Sequence, residues 1–172
     1  HFADISESSG VLATGKRIHR GAMFADYNND GRVDIYVTVN GQQVEDGSGN
    51  IVFDANQGKG ILLRNETQTE NSWIKVRLEG TESNRDGFGT IVNVRTADKL
   101  QKQALSSGQG YFSSNAKELY FGLKEADTID QIDILWPSGL HQSFQNIPAR
   151  QTIYIVEGES LHQNTLILDQ KK

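Results

Sequence analysis

From Trp73 onward apolar and polar residues trade places at every step. Ile74, Val76 and Leu78 are separated by Lys75, Arg77 and Glu79. Side chains two apart share one face of a strand, so the pattern reads as a strand with one buried and one wet face. Val92 and Val94 alternate in the same way with Ile91, Asn93 and Arg95. Residues 118–123 place Leu119 and Phe121 inward, and residues 129–136 carry Ile132, Ile134 and Trp136 on one face. Turn signals punctuate these runs at short, regular spacing, and no helical period is sustained anywhere. The expected fold class is all-β, an antiparallel β-sandwich or barrel.

The first half holds a different signal. Asp26-Tyr27-Asn28-Asn29-Asp30-Gly31-Arg32-Val33-Asp34 places oxygen side chains at positions 1, 3, 5 and 9 and glycine at position 6. Asp26, Asn28, Asp30, the Arg32 backbone carbonyl and Asp34 form a donor set for a hard cation, with Ca2+ expected. Gly31 lets the chain turn where a Cβ would clash. An EF-hand requires Glu at position 12 and helical flanks, but Val37 stands there and the flanks read as strands. The reading is strand, calcium loop, strand. A metal-free hairpin turn rich in Asp, Asn and Gly is the alternative.

Residues 22–65 are expected to form one four-stranded antiparallel unit, the size of a propeller blade. Asn40-Gly41 and residues 45–50 mark turns within it. The 54–60 loop, around Asp54, has poor spacing for a second cation. A polar stretch at 66–71 then divides a calcium-binding unit at 1–66 from a β domain at 67–172, the two expected to pack as one globule. Residues 161–168 add a candidate last strand. Lys16, Arg17, His19 and Arg20 read as a solvated basic face.

Composition narrows the function classes. Net charge is -5, which argues against nucleic acid and anionic membranes as partners. The absence of cysteine excludes disulfides, thiolate catalysis and iron–sulfur clusters. No apolar run is long enough to span a membrane as a helix. The chain reads as a fragment of a longer secreted protein, extracellular or periplasmic, where calcium is abundant.

Catalysis finds little support. Carboxylates are plentiful but no pair is singled out, and neither a G-x-S-x-G elbow nor a P-loop occurs. His1, with His19, His141 or His162, is the only route to a copper site. Aromatic residues offer a binding reading instead, because sugar rings stack on exposed aromatic faces. The ligand-binding candidates are Arg85, Asp86, Phe88, Tyr111 and Trp136, with Trp73 as a further aromatic. Core packing is the competing reading for Trp73 and Trp136. A structural turn is the competing reading for Asn84-Arg85-Asp86-Gly87.

Phe24-Ala25-Asp26-Tyr27-Asn28-Asn29-Asp30-Gly31-Arg32-Val33-Asp34-Ile35-Tyr36-Val37 resembles an FG-GAP or VCBS repeat, the unit that builds β-propeller blades with calcium in the blade loop. The second half resembles the ASPIC/UnbV domain of the cartilage acidic protein family. It does so through Asn71-Ser72-Trp73-Ile74-Lys75-Val76-Arg77-Leu78-Glu79-Gly80, Ser83-Asn84-Arg85-Asp86-Gly87-Phe88-Gly89, Ser106-Ser107-Gly108-Gln109-Gly110-Tyr111, Leu119-Tyr120-Phe121-Gly122 and Ile134-Leu135-Trp136-Pro137-Ser138-Gly139. These resemblances imply an extracellular, non-catalytic, β-rich protein whose repeat ligands match Asp26, Asn28, Asp30, Arg32 and Asp34. Only one repeat is visible, and a lone blade must cover its edges. The function expected is a calcium-stabilised module that binds carbohydrate, most simply a polysaccharide. The alternative is a structural or adhesive domain that binds a cell-surface protein or self-associates through the blade edge.

Overall fold

The computed structural model describes residues 2–11 and 17–161. They form twelve strands and include a turn of 3-10 helix at Ala55–Gln57. The protein is all-β, and no closed barrel forms among the described residues. No helix there is long and apolar enough to cross a membrane. The chain divides into two compact units. One comprises His1–Asn28, Arg32–Glu66 and Gly108–Ala116, and the other Asn29–Gly31, Thr67–Ser107 and Lys117–Lys172.

The first unit contains β1 (His19–Ala25), β2 (Asp34–Val39), β3 (Gln42–Glu45), β4 (Ile51–Asp54) and β5 (Ile61–Leu63). β2 lies between β1 and β5 in an antiparallel three-stranded sheet. β3 and β4 form a separate hairpin. This corrects the four-stranded unit expected over residues 22–65. Both edges of β2 are already taken by β1 and β5, so the intervening hairpin pairs only with itself. Its tip is closed by Asp46, whose Oδ1 accepts the N–H of Ser48 and of Asn50 at 2.9 Å each. Gly108–Ala116 belongs to this unit, where the Ala116 N–H donates to the Phe24 carbonyl at 3.0 Å.

The second unit contains β6 (Ser72–Glu79), β7 (Ile91–Thr96), β8 (Lys99–Ala104), β9 (Glu118–Lys124), β10 (Thr128–Leu135), β11 (His141–Pro148) and β12 (Gln151–Val156). Two sheets form, in the orders β11-β10-β7-β8 and β12-β6-β9. Their inner faces supply one core. Ile74, Val76 and Leu78 meet Val92, Val94, Ile132 and Ile134, with Leu119, Phe121, Ile153, Ile155 and Trp136. Each fully buried side chain of this size contributes about 2 kcal/mol. The amide side chains of Gln101 and Gln103 close one margin by donating to the Gly122 and Tyr120 carbonyls at 2.8 and 2.7 Å. This is the sandwich that the period-two runs predict. One departure is the pairing of β12 with β6, which is parallel. The strand considered for 161–168 lies outside the described residues beyond Leu161.

Candidate functional site

The ends of the 26–34 loop are fixed by strand pairing, with Ala25 opposite Asp34 at the closing step of β1 and β2. Asp26 and Asp34 are both buried. Asp34 Oδ2 accepts the Tyr27 N–H at 3.2 Å, and Oδ1 accepts the Asn65 N–H at 2.7 Å. Arg32 donates from Nε to the Asn65 carbonyl at 2.7 Å. Asn29 and Gly31 take left-handed backbone, with φ of 57° and 83°. The donors are all hard oxygen, which suits calcium and excludes soft metals. Among the described residues, however, no three His, Cys, Asp or Glu side chains are drawn together as a metal centre. The donor chemistry fits a hard cation, and the carboxylates are not gathered into a cage. Asp54, the centre of the weaker second loop, accepts the Asn56 N–H at 2.9 Å and caps the 3-10 turn.

The loop tip, Asn29–Gly31, packs on the outer face of β6. A Cβ built on Gly31 would lie 2.1 Å from the Trp73 ring. Two residues along β6, Lys75 donates from Nζ to Asn29 Oδ1 at 2.8 Å. Lys75 is fully buried, which corrects the wet-face reading at that residue, whereas Arg77 is exposed and Glu79 half-buried. Alternation places the side chain on the outer face correctly, but cannot show that a remote segment covers it. A buried ammonium is costly unless paired. Glu118 lies 3.8 Å away and is also held by Arg77 and the Tyr120 hydroxyl. The Tyr120 ring centroid is 6.0 Å from Nζ.

The predicted ligand residues of the second unit are largely engaged elsewhere. Asn84 Oδ1 accepts the Asp86 N–H at 3.0 Å and Gly87 has φ of 69°, so the 84–89 loop is a turn bonded to its own backbone. Asp86 pairs with Lys117 at 2.6 Å, and Arg85 reaches Glu79 at 3.8 Å from an exposed position. Phe88 is half-buried against the core, with Lys117 Nζ 5.7 Å from its ring centroid. It does not offer the open face expected of it. Trp136 is 1% exposed, and its indole N–H donates to Gln142 Oε1. The ligand-binding reading of Trp136 is therefore corrected to core packing. The period that puts it beside Ile132 and Ile134 carries that answer already.

A group that the sequence does not single out is Glu157, 2% exposed. Its Oε2 accepts three consecutive backbone N–H groups, from Thr81 and Glu82 at 2.9 Å and Ser83 at 2.7 Å. Its Oε1 accepts the Ser83 hydroxyl at 2.7 Å and the Ser138 hydroxyl. Burial pushes this carboxyl upward. The hydroxyls of Ser138 and Ser83 and the backbone donors outweigh burial and hold it at about 2. The arrangement is a fixed anion that ties the 81–83 turn and the 137–139 corner to the end of β12. A usable signal exists, since Ile153, Ile155 and Glu157 share one face at period two.

Tyr111 lies in the first unit and is 63% exposed. Next to it Phe112 is 93% exposed. The rings meet edge to face, with centroids 4.7 Å apart and an interplanar angle of 89°. The Phe24 N–H donates to Asn115 Oδ1 at 3.0 Å, and Asn115 Nδ2 donates to Gln109 Oε1. Gly21 leaves room for the loop on β1, because a Cβ there would lie 2.8 Å from the Tyr111 carbonyl.

His19 and His141 are exposed, while His1 and His162 lie outside the described residues, as does Lys16 of the basic cluster. A search among curated proteins finds no match to the chain. The family match begins at Gly80 and so leaves the 26–34 loop, and its FG-GAP/VCBS likeness, resting on the residues themselves. It takes in the Tyr111 and Phe112 pair, Trp136, and Glu157 with all its partners: residues 80–162 match the family described as ASPIC and UnbV.

Proposed function

We propose that the protein is a non-catalytic extracellular module that binds a polysaccharide and is stabilised by calcium. The carbohydrate reading is carried by Tyr111, an open aromatic face on a braced loop beside the amides of Gln109 and Asn115. The match of residues 80–162 to a non-catalytic, extracellular type of domain supports the class. Binding to a broad polysaccharide panel in calcium buffer, read by calorimetry, is the test. A positive glycan is expected, and Tyr111→Ala should weaken it about tenfold, as for an aromatic anchor. Silence across the panel, together with association that grows with protein concentration, would favour the adhesive reading instead. The exposed Ile51 and Phe53 of the β3–β4 hairpin are its best support.

The calcium reading rests on the oxygen donors of the 26–34 loop and on the two buried carboxylates at its ends. A ligand bound only to the folded state stabilises it by mass action, about 2.7 kcal/mol at a hundredfold excess over Kd. Calcium should therefore raise the melting temperature over that in chelator. Asp30→Ala should erase the difference. Identical melting curves with calcium and with chelator would refute the site.

A further inference from the structure

We propose that the ligand surface is the pair Tyr111 and Phe112, with Phe112 as the main stacking platform, and that the ligand is a neutral polysaccharide. This rests on the carbohydrate reading above and adds the contact residue and the charge class. Phe112 combines two features that are unfavourable for a large apolar residue. Its ring is almost wholly in solvent, and its backbone is left-handed, with φ of 47°. A residue with a Cβ rarely adopts that conformation, and such outliers cluster at binding and active sites. A partner for the ring accounts for its exposure.

The platform is rigid before any ligand arrives. The Gly110 and Ser113 backbones pair across its base, and a Cβ on Gly110 would lie 2.4 Å from Ser113 Oγ. The bonds from Phe24 to Asn115 and from Ala116 to Phe24 hold the far side on β1. Little ordering remains to oppose binding. The perpendicular rings present two apolar faces at a right angle, matching the C–H faces of pyranose rings.

The charge class follows from the loop's own residues. Gly108–Ala116 contains no Asp, Glu, Lys, Arg or His. Its polar side chains are the amides of Gln109 and Asn115, the hydroxyl of Ser114 and the buried hydroxyl of Ser113. Amides and hydroxyls complement sugar hydroxyls. They offer no counter-charge to a uronate, a sulfate or an anionic lipid.

The full chain is titrated calorimetrically with laminarin, xylan, galactomannan and alginate. At least one neutral polymer should bind in preference to alginate. Phe112→Gly suits the left-handed backbone and should keep the melting temperature while weakening that binding about tenfold or more. Phe112→Tyr, which keeps the ring, should retain it. Undiminished binding by Phe112→Gly would overturn the platform and leave the carbohydrate reading standing. Preference for alginate would overturn the neutral class alone. Silence with all four polymers would overturn this inference, and silence across the broader panel the parent reading as well.

Discussion

Glu157→Ala is expected to lower stability by about 3 kcal/mol, the upper scale for losing hydrogen bonds to a charged group. Three backbone N–H groups, at Thr81, Glu82 and Ser83, lose their acceptor together. Glu157→Gln keeps the volume and one oxygen, so about 2 kcal/mol is expected from losing the charge alone. Acid titration separates this account from a packing effect. The Glu157 carboxyl is held at about 2 against an ordinary 4.5. As pH falls below 4.5 the unfolded chain takes up the proton first. The contribution of Glu157 is thus complete above that value and is lost towards pH 2, with a slope of at most about 1.4 kcal/mol per pH unit. Urea unfolding of the wild type and Glu157→Gln from pH 6 to pH 2.5 should show the two stabilities converging. Parallel pH profiles would refute the assignment.

Gly31→Ala should cost about 3 kcal/mol, and two separate penalties add to reach it. A φ of 83° is unfavourable for any residue with a Cβ, by about 1–2 kcal/mol. The new methyl would also begin 2.1 Å from the Trp73 ring, and overpacking of this kind costs about 1–3 kcal/mol. Gly139 separates the two terms. Its φ is 92°, and a Cβ placed there would meet nothing within 4 Å, so Gly139→Ala should show only the backbone part. Chemical unfolding in chelator keeps metal linkage out of the comparison. Equal losses for the two substitutions would mean that Trp73 moves aside freely.

The strands of the sandwich are legible in the sequence because each is decided by its own neighbours. Ile74, Val76 and Leu78 on β6, and Ile132 and Ile134 on β10, are buried as their alternation requires. Whatever depends on distant chain is not legible. Lys75 sits on the outer face as its position dictates, but its burial comes from Asn29–Gly31, far away in sequence. Glu157 is a carboxylate whose meaning lies in donors 74–76 residues earlier. Phe88 sits in a glycine-flanked turn, a signal of local backbone shape that says nothing of how much of the ring is covered. Phe112 does not stand out beside Tyr111, because left-handed backbone at a phenylalanine has no signature in one sequence. The hairpin of β3 and β4 is marked by its turn, yet its separation from β2 follows from which strand edges are already filled.

The parallel register of β12 on β6, from Gln151 opposite Ile74 to Val156 opposite Glu79, sets the order in which this protein can be made. During synthesis β6 leaves the ribosome long before the strand that completes its sheet. Its antiparallel neighbour β9 is on hand first, but the other edge of β6 stays open until residues 151–156 have been made. Contacts of such long sequence separation close slowly and leave edges exposed to wrong partners meanwhile. A ribosome that stalls before residue 151 would thus hold a nascent chain with a hydrophobic strand open along one side. The sheet built on β6 is complete only when β12 arrives.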